Sequence, residues 1–272
     1  MRPKPSLDEE YPLLRLDTRT ACSARVWNYL LDGKDNFIAD RAAGDELKQM
    51  FPGIVDVARG RRLFLAQAVR YLARQAGIRQ FLDVGTGIPT AETAHQIAQQ
   101  IEPQSRVVYV DIDPLVLVHV RALLTSVPSG RVDYVEADVR HPETILQDAA
   151  ETLDFSQPAA VLMLGILSEI PDSDSPGSIV ARVLECLPAG SYLALSDVTN
   201  TNPVFNQAIA VYNGKAASPC HPRSPQQLAG FFEGLEMVPP GLVAPSRWRP
   251  GLTDTSAGTE EASALCGIGR KG

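Results

Sequence analysis

A chain of 272 residues, 44% of them hydrophobic, can bury a full core and fits one α/β domain with an appendage better than two equal domains. Its 25 basic and 32 acidic residues leave a formal charge of -7, so the basic footprint of a protein that tracks phosphates is absent and nucleic acid is disfavoured as a partner. Cys22, Cys186, Cys220 and Cys266 form no Cys-x-x-Cys pair, which argues against a zinc knuckle or disulfide scaffold and for a reducing cytoplasm.

Residues 1–17 are expected to be a flexible N-terminus, polar and Pro-rich at its start. Residues 18–78 read as helical. There Tyr29-Leu-Leu-Asp-Gly-Lys-Asp-Asn-Phe37 breaks a helical pattern at Gly33, and a second short helix runs up to Pro52. Between Ala58 and Ala76, apolar Ala58, Leu65, Val69, Leu72 and Ala76 mark a helix that should lie against a sheet, with Arg74 in its last turn and Gly77 as its cap. From residue 79 to 272 short apolar runs alternate with helical stretches, as in successive βαβ units of a mostly parallel sheet. The runs are Phe81 to Val84, Val107 to Val110, Val132 to Val135, Ala159 to Leu164 and Tyr192 to Leu195, followed by Leu235 to Val238 and Ala264 to Ile268. Seven strands result. The fourth lacks alternation, as a central strand buried on both faces would. Ala91, Ala94, Ile97, Ala98 and Ile101 form an apolar helix face after the first strand, and Gly251 to Glu261 reads as a flexible loop. The longest apolar stretch, Ala159 to Leu167, is too short to cross a bilayer, so no membrane partner is expected.

The first strand ends in Asp83-Val-Gly85-Thr-Gly87-Ile-Pro-Thr90 and is expected to run straight into a helix, its glycines letting the backbone turn tightly beneath a ligand. Asp111 closes the second strand and Asp138 the third, so three acids line one sheet edge; singly, each could instead cap a helix. A carboxylate where Asp111 falls commonly accepts hydrogen bonds from ribose hydroxyls. A dinucleotide places its pyrophosphate over the glycine turn, where Asp83 would repel it. Thr90 replaces the third glycine of the dinucleotide fingerprint, and no Gly-Lys-Ser/Thr follows. S-adenosylmethionine, cationic and without phosphate, suits an acidic edge. Two other readings stay open: a nicotinamide reductase, which would have to tolerate Asp83 and lacks a Tyr-x-x-x-Lys pair, and a non-catalytic S-adenosylmethionine-binding regulator.

Beyond these patterns, the segments Tyr29 to Phe37, Phe81 to Thr90, Val108-Tyr-Val-Asp-Ile-Asp-Pro114, Leu187-Pro-Ala-Gly-Ser-Tyr-Leu-Ala-Leu-Ser196 and Arg247-Trp-Arg-Pro250 resemble an actinobacterial family of S-adenosylmethionine-dependent methyltransferases long classed as a domain of unknown function. The resemblance covers about Arg25 to Lys271. It implies a Rossmann-like class I methyltransferase fold: a seven-stranded, mostly parallel sheet of order 3-2-1-4-5-7-6, strand 7 antiparallel, helices on both faces and an N-terminal helical lid. It assigns the donor's methionine moiety to Asp83, Thr86 and Gly87, the ribose to Asp111 and the adenine to Asp138 with Val139. Gly85, Ile112 and Gly165 join the donor set, and Arg25, Tyr29 and Lys34 are placed near the donor's carboxylate end. Relatives commonly carry His after the fourth and fifth strands, where this chain has Ser168-Glu169 and Asp197. Arg61 stands where Asn is common.

Those departures make Glu169 and Asp197 the candidate catalytic residues, as general base or as anchors for a cationic acceptor; the alternative is that Glu169 faces solvent and Asp197 caps a turn. The acceptor is expected to be a small organic molecule. Methylation of a DNA amino group is disfavoured, because Leu164-Gly-Ile-Leu-Ser168 lacks the Pro-Pro-aromatic grip on a flipped base. His95 and His119 are expected to be partly exposed helix residues, His141 a loop residue, and His221 part of a rigid connection. Trp248 is expected to be a packing anchor. No metal site is predicted, and the oligomeric state stays open.

Overall fold

A computed structural model of the chain describes residues 16–89, 92–123, 130–248 and 263–272. The expected flexible segment of residues 1–17 lies almost wholly outside them, as does the Gly251 to Glu261 loop.

Three helices come first: α1 (Ser23–Leu30), α2 (Ile38–Met50) and α3 (Ile54–Arg74). The chain reverses between α1 and α2 through a turn at Asp32 and Gly33, with Asp32 at φ 62°. Asp40 fixes the entry to α2 by accepting the main-chain N–H of Phe37 at 2.8 Å and of Cys22 at 2.9 Å, which ties α1 to α2. Helix α3 begins at Ile54, earlier than the expected Ala58, and stops before Gly77, whose φ of 72° is left-handed.

The remaining elements alternate: β1 (Gln80–Val84), α4 (Ala94–Ile101), β2 (Arg106–Asp111), α5 (Pro114–Leu123), β3 (Arg131–Glu136), α6 (Pro142–Ala149), β4 (Ala160–Leu164), α7 (Pro176–Glu185), β5 (Tyr192–Val198), α8 (Pro203–Asn213), α9 (Pro225–Gly230), β6 (Leu235–Met237) and β7 (Ala264–Lys271). They build a seven-stranded sheet of order β3-β2-β1-β4-β5-β7-β6, the order expected from the resemblance. Strands β1 to β5 pair in parallel, and β7 is antiparallel to both β5 and β6. Strand β4 is central, and Ala160 to Met163 are buried on both faces, which accounts for its unbroken apolar run.

One sheet face packs Phe81, Val107 and Leu162 against Phe64, Leu72 and Ile97 of α3 and α4. The other packs Val108, Val161 and Leu193 against Ile145, Ile179 and Val183 of α6 and α7. A third cluster joins Val26, Leu30, Leu47 and Ile54 of the N-terminal helices to Phe205 and Ile209 of α8. The N-terminal helices are thus anchored on the element that follows β5. Trp248 is the packing anchor expected, with its ring edge-on to Phe64 at 5.2 Å and Tyr71 at 5.9 Å. His95 departs from expectation: it is fully buried, because its face of α4 meets β2, where its main-chain N–H donates to the Tyr109 hydroxyl at 3.0 Å. No helix of the described residues is long and apolar enough to cross a membrane.

Candidate active site

The carboxyl ends of β1, β2, β3 and β4 open on one cavity of about 280 Å³, roofed by α1 and walled by α3. Chain direction explains the location, because parallel strands deliver their last residues and following loops to the same sheet edge. After β1 the backbone turns through Gly85 (φ 70°) and Gly87 (φ 63°), a region costly to residues with a β-carbon. At Gly85 a β-carbon would also lie 2.5 Å from Ile166 in the loop after β4. The strand does not run straight into a helix as expected. Residues 85–93 intervene, and α4 starts only where Thr93 and Gln96 form a capping box. Among the described residues, the cavity floor after β1 is therefore a glycine loop and not the first turn of a helix, a poor seat for a pyrophosphate.

Three carboxylates face this loop, each in a different state. Asp83 is buried, and desolvation pushes its carboxyl up to about 7 even though Arg62 and Thr86 favour the ionised form. Burial raises Asp111 to about 6, against three main-chain donors: Gly87 to its Oδ2 at 2.8 Å, and Ile112 and Asp113 to its Oδ1 at 2.9 and 3.0 Å. A carboxylate offers about four lone-pair sites, so Asp111 keeps one, on Oδ2, while it braces the glycine loop. Asp138 is held below the ordinary carboxylate range by Arg140, whose Nη2 donates to it at 2.6 Å. Ile112, 60% exposed to solvent, and buried Val139 add apolar surface to this end of the cavity.

Opposite the glycine loop the walls come from separate parts of the chain: Cys22, Ser23 and Trp27 from α1 and its entry, Arg61 and Arg62 from α3, Gly165, Ile166 and Glu169 after β4, and Ser218 after α8. Glu169 sits in a single 3-10 turn, Leu167–Glu169. Desolvation pushes its carboxyl up to about 7, with Ser23 and Arg61 working against the shift and Asp111 and Asp197 with it. Arg62 donates to the Ile88 carbonyl at 2.8 Å beside Asp83. The Arg61 guanidinium lies 4.3 Å from the Trp27 ring centroid.

Not every expected site residue reaches the cavity. Asp83, Gly85, Thr86, Gly87, Asp111, Ile112, Asp138, Val139, Gly165 and Glu169 line it together. Asp197 does not. It is 1% exposed, and its two oxygens accept the main-chain N–H of Ser168 and of Val198, each at 2.8 Å, so it pins the loop after β4 to β5. Arg25, Tyr29 and Lys34, expected near the donor's carboxylate end, do not line the cavity either. Arg25 is buried between Asp40 (3.5 Å) and Asp113 (3.9 Å). The Tyr29 hydroxyl donates to Asp45 at 2.6 Å, and Lys34 is exposed in the turn before α2. His119 is half-buried beside Asp35 at 3.4 Å, and His141 is the exposed residue preceding α6. The main chain of His221 donates to the Ser168 carbonyl, so its loop packs on the turn that carries Glu169.

Sequence reasoning missed Trp27 and Arg62 and left Arg61 uninterpreted. The signal available was Arg61-Arg62 between Ala58 and Leu65, two adjacent cations on the apolar side of a sheet-packing helix.

A mostly parallel seven-stranded sheet of this order, with a glycine turn after β1 and acids at or just past the ends of β2 and β3, is the class I methyltransferase fold. The chain belongs to the S-adenosyl methyltransferase family, whose model matches residues 9–272. It is 42% identical to a DUF574 family protein of Streptomyces avermitilis MA-4680, covering 95% of this chain and 100% of that one, with a TM-score of 0.91. It is 38% identical to a protein of Thermobifida fusca YX provisionally named a methyltransferase, covering 94% and 96%, with a TM-score of 0.87. An O-methyltransferase family protein of Burkholderia thailandensis, 14% identical over 80% of this chain and 58% of its own at a TM-score of 0.50, is alike in fold alone. No curated protein matches.

The residues present fit S-adenosylmethionine, the cofactor of this family. At Gly87 a β-carbon would meet nothing within 4 Å, so the turn leaves open space there, and Asp83 is a buried carboxyl whose ionised form a cation would stabilise.

Proposed function

We propose that the chain methylates a small organic acceptor held between α1, α3 and the loop after β4, with Glu169 as the proton acceptor. The observation that carries this reading is the meeting, in one cavity, of the donor residues with a carboxyl pushed up to about 7 on the opposite wall. Bound S-adenosylmethionine supplies a methyl group on a sulfonium, so that the bond from the nucleophile to carbon forms as the carbon–sulfur bond breaks and the electron pair stays on sulfur.

The chain's own residues do the remainder. Asp83 pairs with the donor's ammonium, and Arg62 takes its carboxylate. The one lone-pair site left on Asp111 accepts a ribose hydroxyl, while Ile112 and Val139 cover the adenine, whose amino group Asp138 reaches. Alignment in a closed site can supply about 7–11 kcal/mol of the barrier, so positioning is the larger contribution. Glu169 adds to it by taking the proton of an O–H or N–H nucleophile. A base poised near neutral pH is half ionised where it works, which suits that task. Asp197 acts at one remove, by holding the main chain of Ser168 beside Glu169.

Incubation with methyl-labelled S-adenosylmethionine and a panel of small aromatic and natural-product-like acceptors tests this reading. Label in an acceptor, with S-adenosylhomocysteine formed in equal amount, is the result expected. Turnover on polymeric nucleic acid, with none on any small molecule, would contradict it.

A further inference from the structure

Arg61 carries the feature of this cavity that the reading above does not use. One face of its guanidinium stacks on Trp27, with Cζ 4.3 Å from the ring centroid. The guanidinium also fills the space beside Gly165, so closely that a β-carbon there would overlap Nη1 and Cζ. Gly165 has φ 97°. That position needs glycine twice, for its backbone and for the space the guanidinium fills. Held beside both Trp27 and Gly165, the guanidinium still has its N–H groups to bond.

Its surroundings do not satisfy all of those N–H groups. Nη2 is buried without a hydrogen-bond partner among the described residues. The acidic groups facing Arg61 are Asp197, Glu169 and Cys220. Asp197 already accepts two main-chain N–H groups, Glu169 bonds toward Ser23, and burial keeps the Cys220 thiol protonated, pushed up to about 12. A buried guanidinium without a bidentate partner is costly, and a carboxylate is the group whose geometry matches its edge.

We propose that Arg61 is a specificity-determining residue and that the methyl acceptor bears a carboxylate, bound by the Arg61 edge while a separate O–H or N–H on the same molecule faces Glu169. This rests on the methyl-transfer reading. Of the two roles the sequence left open for Glu169, it favours the general base over the anchor for a cationic acceptor, because the wall that holds Glu169 also holds a fixed cation.

The test is binding of matched pairs to the full chain saturated with S-adenosylhomocysteine: benzoate and benzamide, 4-hydroxybenzoate and 4-hydroxybenzamide, indole-3-acetate and indole-3-acetamide. The carboxylates should bind about 10-fold tighter than their amides, the scale of one hydrogen bond to a charged group. Arg61→Gln should abolish that preference and Arg61→Lys, which keeps the charge without the fork, should keep part of it. S-adenosylhomocysteine affinity, measured in each variant, reports that the fold and donor site are intact. Amides that bind as well as acids, no binding by any pair, or a preference that survives in Arg61→Gln would each overturn the proposal. Failure of S-adenosylhomocysteine to bind the wild type would instead overturn the methyl-transfer reading, and this inference with it.

Discussion

The two walls of the cavity are built by different means. On the donor side, the main chain does most of the shaping. Gly85 and Gly87 set the turn, and Asp111 ties it to the end of β2 by accepting the Gly87 N–H, while the N–H groups of Ile112 and Asp113 fix its carboxylate. On the acceptor side the wall is made of side chains from α1, α3, the loop after β4 and the loop after α8. The first is local and fixed by strand order; the second exists only when distant segments meet. In the proposed reaction the donor wall has to keep its geometry, while a change at Arg61 or Glu169 can alter the acceptor without disturbing the sheet.

If the walls divide the work in this way, variants should separate accordingly. The largest effect is expected at Glu169. Glu169→Gln should lower turnover about 10²-fold or more, the scale of general base catalysis, with S-adenosylmethionine affinity little changed. Steady-state kinetics on an identified acceptor checks this, and a rise in KM at intact turnover would make Glu169 a binding residue.

Next comes Asp111, where donor binding and loop bracing fall on one carboxylate. Asp111→Asn replaces an acceptor oxygen with a donor that meets N–H groups, so it should destabilise the protein by about 1–3 kcal/mol as well as weaken donor binding. Thermal unfolding and calorimetry together read both effects. Weakened binding at unchanged stability would show that the bracing bonds carry no net energy.

The smallest effect concerns the roof. Cys22, Ser23 and Trp27 line the cavity and Tyr29 and Lys34 do not, so the donor should slow amide exchange in residues 22–28 more than in residues 32–37. Equal protection of both segments would point to closure of the whole N-terminal unit.

The donor wall was legible because its signals are contiguous. Residues 83–87 are a strand end and a glycine turn, and Asp111 and Asp138 fall at the next strand exits. The sheet order was legible only through the resemblance, since periodicity identifies strands without pairing them. Beyond Gly165 and Glu169, the acceptor wall was not legible, for three physical reasons. Trp27 and Arg61 belong to helices whose faces are set by packing on α8 and the sheet. Asp197 looks like a strand-exit acid but lies within β5, with both oxygens bonded to main chain. Arg25 and Tyr29 are polar residues of a helix that faces the site, yet Arg25 is buried in ion pairs with Asp40 and Asp113 and Tyr29 bonds to Asp45, so neither lines the cavity.

In the proposed reaction Asp83 is a buried carboxylate that a cationic donor recruits into its charged form. Its value in the free protein is about 7 and its ordinary value 3.8. Below about pH 4 the group is protonated in the folded and unfolded chain alike, and its burial carries no charge penalty. Between about 4 and 7 the unfolded chain ionises first, so stability falls as pH rises, and above about 7 the folded protein carries the full penalty. A donor cation binds the ionised form, so affinity should rise from pH 6 to pH 8, with protons released on binding near pH 7. The decisive measurement is calorimetric titration of S-adenosylmethionine into wild type and Asp83→Asn at pH 6, 7 and 8, in buffers of different ionisation enthalpy. The predicted result is saturable binding with one donor per chain, tightening with pH in the wild type, and binding at least about 10-fold weaker and flat with pH in the variant. No binding to the wild type, or equal affinity and equal pH dependence in the two proteins, would contradict it.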